Sequence, residues 1–256
     1  MSDNHPTLQQ LRSLTGARIG LGRSGASQPT RAVLSFALDH ARARDAVHQP
    51  LDVDALERSL NSPALRVCSA APDRTTYLSR PDLGARLAPA SADALSGCAE
   101  QGRDLVIVLA DGLSSRALDH AAPLLAQMTP GLSDSGWRLA PLVIATQARV
   151  ALGDEIGERL RAAMAVVLIG ERPGLSAADS LGAYLTWAPK VGRTNAERNC
   201  VSNIRPEGLP PADAARTLLW LLNEARRMKL TGIGLKDQSD LRPLPSDQSL
   251  PRLDFR

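Results

Sequence analysis

The sequence predicts an α/β fold: a Rossmann-like parallel sheet domain preceded by an N-terminal helical arm. Two observations carry this expectation. From about residue 66, short continuous apolar runs alternate with segments of helical period: DLVIVLADG (104–112), SSRALDHAAPLLAQM (114–128), LAPLVIAT (139–146), ALGDEIGERLRAAM (151–164) and AVVLIGERPG (165–174). Unbroken apolar runs bounded by Gly, Pro or Asp suit strands buried on both faces. Their alternation with helices implies parallel strands joined by right-handed crossovers. Before residue 66, by contrast, the periodicity is helical throughout.

Taken in order, Leu8, Leu11 and Leu14 share one helical face. A glycine-rich stretch, GARIGLGRSGASQPT, follows and ends in Pro29-Thr30, where proline suits a helix's first turn because its missing N–H would have no partner there. The next segment sets Val33, Leu34, Phe36, Leu38, Ala41 and Val47 on a broad stripe and stops at Pro50; LDVDALERSL (51–60) is a further short amphipathic helix. These segments cannot enclose a large core alone. Residues 1–65 are therefore expected to form an arm that lies along another surface, and residues 66–256 the α/β domain. Farther on, YLTWAP (184–189) and CVSNI (200–204) read as added strands, and PPADAARTLLWLLNEARRMK (210–229) as a helix opened by tandem prolines. The tail beyond Lys236 is polar and dotted with proline, and is expected to fray or to dock on a partner.

Composition excludes several classes. Among the 256 residues no apolar run approaches the roughly 18 that suggest a membrane-spanning helix. The start, MSDNHPTLQQLRSL, lacks the basic, apolar and small-residue regions of a secretory signal, so a cytoplasmic location is expected. Cys68, Cys98 and Cys200 form no CxxC pair, and His5, His40, His48 and His120 form no HxxxH pair, which argues against a disulfide framework, a zinc knuckle or a catalytic metal held mainly by this chain. Thirty basic residues against 27 acidic ones, with 3% aromatics, are too balanced and too poor in stacking groups for a nucleic-acid footprint.

One motif misleads. Gly20, Gly22 and Gly25 spell the GxGxxG dinucleotide fingerprint, which carries weight only between a strand and its helix. TGARI is a poor strand, and the chain to residue 60 reads as helix, so no βαβ unit is completed and Asp45 falls inside a helix. A glycine turn is the better reading. There is likewise no GxxxxGK[ST] loop and no GxSxG elbow.

In open parallel sheets ligands collect beyond the carboxyl ends of the strands. That rule marks Asp111 and Gly112, then Gln147 to Val150, then Glu171 to Gly174, with Cys200 to Asn203 on the same border. Glu171 presents a carboxylate at a strand tip, flanked by Gly170 and Gly174, where it either accepts hydrogen bonds from a ligand or pairs with Arg172 at the surface. Cys200 has no histidine nearby in sequence to activate it, and Val150 has no reactive group. The residues alone therefore point to a binding crevice rather than a catalytic centre.

RIGLGRSG, PTRAVLSFALDHARARDAVH, RVALGDEIGE, VVLIGERPGL, DSLGAYLTWAP and ERNCVSNIRPEGL, in that order from about Leu11 to Lys236, resemble the small subunit of ethanolamine ammonia-lyase. The resemblance implies an adenosylcobalamin-dependent lyase that converts ethanolamine to acetaldehyde and ammonia by a radical route. It implies too a large partner subunit that carries the substrate site, while this chain closes the opposite side of the cofactor. Carried over by motif, the cobalamin contacts fall on Val150 in QARVALGD, Glu171 in LIGERPG and Cys200 in ERNCVSN, all three following predicted strands. No DxHxxG motif occurs, in keeping with a family that leaves the cofactor's own benzimidazole on cobalt. Some members carry a longer N-terminal extension that directs them into a bacterial microcompartment; here the shared motifs begin after about ten residues, so free cytoplasmic enzyme is the expectation and packing in a bacterial microcompartment the alternative.

Overall fold

The structure is a computed structural model and describes residues 6–100 and 102–239. Three helices come first: α1 (Pro6–Leu14), α2 (Thr30–His48) and α3 (Val53–Leu60). Strand β1 (Ala64–Cys68) is followed by three short helices, α4 (Arg74–Ser79), α5 (Pro81–Gly84) and α6 (Pro89–Gly97). Next come β2 (Leu105–Ala110), a 3₁₀ turn over Ser115–His120, α7 (Ala121–Asp134), β3 (Leu142–Thr146), α8 (Leu152–Arg159) and β4 (Met164–Gly170). The chain continues through β5 (Leu181–Trp187), β6 (Arg198–Ile204) and α9 (Pro211–Met228).

The strands form one sheet in the order β1-β3-β2-β4-β5-β6. The first four are mutually parallel, as the alternation of runs predicts, whereas β5 is antiparallel to both β4 and β6. The reason is connection length: the stretch from Glu171 to Ser180 contains no helix, and a parallel return needs a crossover of a dozen or more residues.

Both faces of the central strands are buried by strict alternation. Leu105, Ile107 and Leu109 of β2, with Met164, Val166 and Leu168 of β4, pack beneath α7 and α9 against Leu124, Met128, Leu218 and Leu222. Val106, Val108 and Ala110, with Ala165, Val167 and Ile169, face the opposite way, toward Leu95 of α6 and Leu152 and Ile156 of α8. At roughly 1.5–3 kcal/mol for each large side chain removed from water, these two layers dominate stability. Beyond β4 the second face loses its helical cover, and Tyr184 of β5 is only half-buried there.

The helix ends follow local chemistry. Asp52 caps α3 by accepting the Ala55 N–H at 2.8 Å, and Asp73 caps α4 by accepting the Thr76 N–H at 2.8 Å. The tandem prolines start α9, which ends at Lys229 in the left-handed region. Glycines 20, 22 and 25 all have positive φ, in a turn where Ser24 and Ser27 exchange backbone hydrogen bonds. Helices α2 and α3 follow this turn with no strand before Ala64, so the fingerprint lies outside any βαβ unit.

Helix α3 packs on the body through buried Leu56, whereas α2 buries only Ala46 and leaves Val33, Leu34, Phe36 and Leu38 exposed, Leu34 to 63%. Arg18 clips the glycine-rich segment to α2, bonding Asp39 at 2.6 Å and lying over the Phe36 ring. Among the described residues no helix is long and apolar enough to cross a membrane. The part of the tail past Ser239 lies outside the described residues.

Candidate functional site: a cleft at the strand tips

The connection after β2 runs to α7 on one face of the sheet, and the connection after β3 runs to α8 on the other. Neighbouring strands whose connections part in this way leave a crevice at their carboxyl ends. A cleft of about 450 Å³ opens there, lined by Tyr77, Gly112, Leu113, Arg149, Val150, Ile169, Gly170, Glu171, Arg172 and Tyr184.

Its floor is backbone. Gly112 (φ +55°) lies so close to the end of β4 that a Cβ would sit 2.2 Å from the Gly170 carbonyl oxygen, and the Leu113 N–H donates to that same oxygen at 2.9 Å. A Cβ at Gly170 would meet the Ser114 carbonyl oxygen at 2.0 Å. Only glycines permit this interlocking.

Asp111 fixes the wall beyond β3. Its buried carboxylate accepts the N–H groups of Gln147 (2.9 Å) and Ala148 (3.0 Å), shaping a turn in which Gln147 itself has positive φ. Burial pushes the Asp111 carboxyl above the usual carboxylate range, against the opposing pull of those N–H groups and of Arg74, 3.4 Å away.

Tyr77 is fully buried between two guanidinium groups, with Arg74 4.8 Å and Arg149 4.4 Å from its ring centroid. Its hydroxyl donates to the Ala148 carbonyl at 3.0 Å, and burial pushes its pKa up to about 12. Arg149 donates to the Tyr77 carbonyl at 3.2 Å, yet its Nε, like Nη2 of Arg74, is buried with no hydrogen-bond partner.

Glu171 follows β4 directly. Its carboxylate takes the Ser180 hydroxyl and, at 3.1 Å, the backbone N–H of Asn203, rather than pairing with Arg172. A Cβ at Gly182 would sit 2.9 Å from its Oε1, so glycine at that point of β5 lets the Glu171 side chain lie across the strand. The loop from Glu171 to Ser180 is held from outside as well. The Ser114 hydroxyl donates to the Ala178 carbonyl (2.7 Å), His120 hydrogen-bonds Asp179 (3.1 Å) and Arg205 donates to the Ser176 carbonyl (2.7 Å).

The structure thus brings Val150 and Glu171 into one cleft. Cys200 does not line it and does not follow a strand; it sits within β6, opposite Tyr184. That pairing sets Cys200 beside the cleft, next to Tyr184 in the sheet. Although solvent reaches the residue, packing around its sulfur raises the thiol pKa, and the nearby Glu171 charge adds to the rise. A thiol held protonated is a poor nucleophile. Sequence reasoning missed Tyr77 altogether, because the short helix that carries it gives no apolar period. It missed Tyr184 as a site residue, although the strand run contained it.

A larger groove of about 600 Å³ lies elsewhere, between α3, α7 and β3, with Leu60, Leu125, Leu139 and Leu142 among its walls. It is lined by apolar and hydroxyl side chains without a charged group. The cleft has what a specific ligand needs: an apolar side (Val150, Leu113, Ile169), a carboxylate and convergent cationic donors.

A family model described as ethanolamine ammonia-lyase light chain (EutC) matches residues 5–236. The chain is 53% identical over 264 residues to the ethanolamine ammonia-lyase small subunit of Azotobacter vinelandii, covering 98% of this chain and 97% of the relative. It is 54% identical over 239 residues to the ethanolamine ammonia-lyase small subunit of Rhodopseudomonas palustris, covering 92% of each. With the protein of the same description from Bradyrhizobium diazoefficiens the identity is 54% over 252 residues, covering 96% of each.

Proposed function

Because the chain belongs to the ethanolamine ammonia-lyase light-chain family, we propose that it closes one side of an adenosylcobalamin site whose other side belongs to a large catalytic subunit. It is the small subunit of a carbon–nitrogen lyase that acts on ethanolamine. The observation that carries the cofactor role is the meeting of Val150 and Glu171 in one strand-tip cleft, with Cys200 paired across the sheet from its lining residue Tyr184.

The residues fit such a group on two counts. The cleft is far too small to enclose a corrinoid, as befits half a pocket completed by another polypeptide. Arg149 also brings to its edge a guanidinium with no ion-pair partner among the described residues, free to face an anionic group. Bound adenosylcobalamin supplies the radical chemistry of this reaction class. The chain's own groups bind and orient: Glu171, held by Ser180 and Asn203, offers its carboxylate to amide or hydroxyl donors, while Val150 and Tyr184 pack as apolar walls and exclude water. The exposed apolar side chains of α2 suit docking of the arm on the large subunit.

Reconstitution tests this reading. Mixed with the large subunit, the chain is expected to retain adenosylcobalamin through gel filtration, with the corrinoid absorption spectrum and ethanolamine deamination; alone it is expected to show no deamination. Turnover by the isolated chain, or full cofactor retention by the large subunit alone, overturns it. A thermal shift of the isolated chain by NAD or ATP, but not by cobalamins in the complex, would favour a nucleotide site instead.

A further inference from the structure

Two cations in the cleft lack counter-charges. Arg74 is compensated by Asp111, but neither Arg149 nor Arg172 has an ion-pair partner among the described residues, and both line the cleft. Their surroundings do not neutralise them. The one carboxylate among the lining residues, Glu171, is turned to Ser180 and Asn203. Arg149 is held rigidly, stacked on Tyr77 and bonded to its carbonyl, and its backbone N–H donates to the Gly84 carbonyl at 2.8 Å. Its Nε is nevertheless buried and unpartnered. The same holds for Nε of Arg103, Arg198 and Arg205 outside the cleft lining, so what marks this cleft is its two uncompensated positive charges. Helix α8 begins two residues after Val150, so the positive end of its dipole borders the same space.

An oxyanion is what this arrangement would take. A planar guanidinium presents parallel N–H donors that match phosphate oxygens. Resting on the cofactor reading above, we propose that Arg149 and Arg172 hold the phosphodiester of the corrinoid's nucleotide loop, leaving Glu171 to the amide and hydroxyl groups. The phosphodiester carries the one fixed negative charge of that loop, and the cleft has positive charge to spare. Arg149, the half-buried member, fixes the group's position; Arg172, on the exposed rim, draws it in.

The test compares two corrinoids on the reconstituted two-subunit complex: adenosylcobalamin, and adenosylcobinamide, which lacks the nucleotide and its phosphodiester. Equilibrium binding is read by corrinoid absorbance after ultrafiltration, independently of turnover. Arg149→Gln is expected to weaken adenosylcobalamin by about ten-fold or more. Arg172→Gln is expected to weaken it about three-fold, as a rim charge does. Both should leave adenosylcobinamide affinity unchanged. Equal loss for the two ligands, or loss for neither, overturns the assignment. If Arg149→Gln does not fold, judged by its melting curve, Arg172→Gln decides, since its side chain is exposed. Glu171→Ala separates the two claims. If it weakens both corrinoids while the arginine variants do nothing, only the phosphodiester assignment falls. If all three variants leave both affinities intact, the cleft is not the corrinoid site.

Discussion

Asp154 and Arg198 form a two-point ion pair, 2.6 and 2.7 Å, with both side chains 3% exposed. It joins the first turn of α8, just after Val150, to the start of β6, two residues before Cys200. Thr186 of β5 shares the guanidinium at 3.0 Å. The pair therefore ties α8, which follows Val150, to β6 and, through Thr186, to the strand that carries Tyr184.

Removing one partner leaves a buried charge alone. Asp154→Ala is expected to cost about 3–5 kcal/mol in denaturant unfolding. Replacing both, as Asp154→Leu with Arg198→Met, should cost much less. A small effect of the single variant would show that the pair is not desolvated.

Glu171→Ala is expected to weaken cofactor binding to the complex by about 1.5–3 kcal/mol, the range for a hydrogen bond to a charged group. Gly182→Ala reaches the same end by another route, since its methyl would push against Glu171 Oε1 and Cγ. Titration of both variants with adenosylcobalamin checks this. Unchanged affinity in both would remove Glu171 from the site.

At Gly112 the obstacle is backbone, which cannot swing aside. Gly112→Ala should lose about 2–4 kcal/mol of stability, combining overpacking against the Gly170 carbonyl with a left-handed conformation that a Cβ disfavours. Thermal melting of the purified chain measures it. Gly136→Ala, with φ +64° but open space around it, should lose only the conformational part.

The chain has two tyrosines, and burial raises both, Tyr77 to about 12. A raised folded-state pKa means that the neutral form is favoured by folding. Their contribution to stability is complete below the ordinary value of 10.0 and is lost above it, that of Tyr77 as pH climbs toward about 12. Ultraviolet titration should show no tyrosinate near pH 10, followed by ionisation that coincides with unfolding. A normal titration step near 10 would mean that the Arg74–Tyr77–Arg149 stack is open to water.

Glu197 behaves in the opposite sense. The Thr194 N–H, Arg193 and the Thr194 hydroxyl hold its carboxyl down at about 2, so its support for the turn before β6 is full above the ordinary value of 4.5 and fades as pH falls toward about 2. Amide exchange at Thr194, followed across that interval, should quicken as the carboxylate is protonated.

Much of this architecture was legible because burial on two faces leaves an unmistakable trace: β2 and β4 are uninterrupted apolar runs. Strand β1 left none, since Arg66 and Cys68 face outward at the sheet edge. Helices α4 and α5 are too short for a period to show, and α6 offers only one large apolar side chain, Leu95. The antiparallel turn of β5 depends on what the connecting loop lacks, which strand composition does not report. In the site, Val150 and Glu171 followed from the strand-tip rule as well as from the resemblance. The pairing of Arg74 with Asp111 and of Arg149 with Tyr77 joins residues 37 and 72 positions apart, and no local pattern announces either.

The bare flank of α2 has a bearing on how the cell must make this molecule. A ribosome that released the chain with no companion at hand would set Leu34, Phe36 and Leu38 loose in water, a greasy strip inviting clumping or digestion. If the arm docks on the large subunit as proposed above, matched supply of the two polypeptides would keep that strip covered.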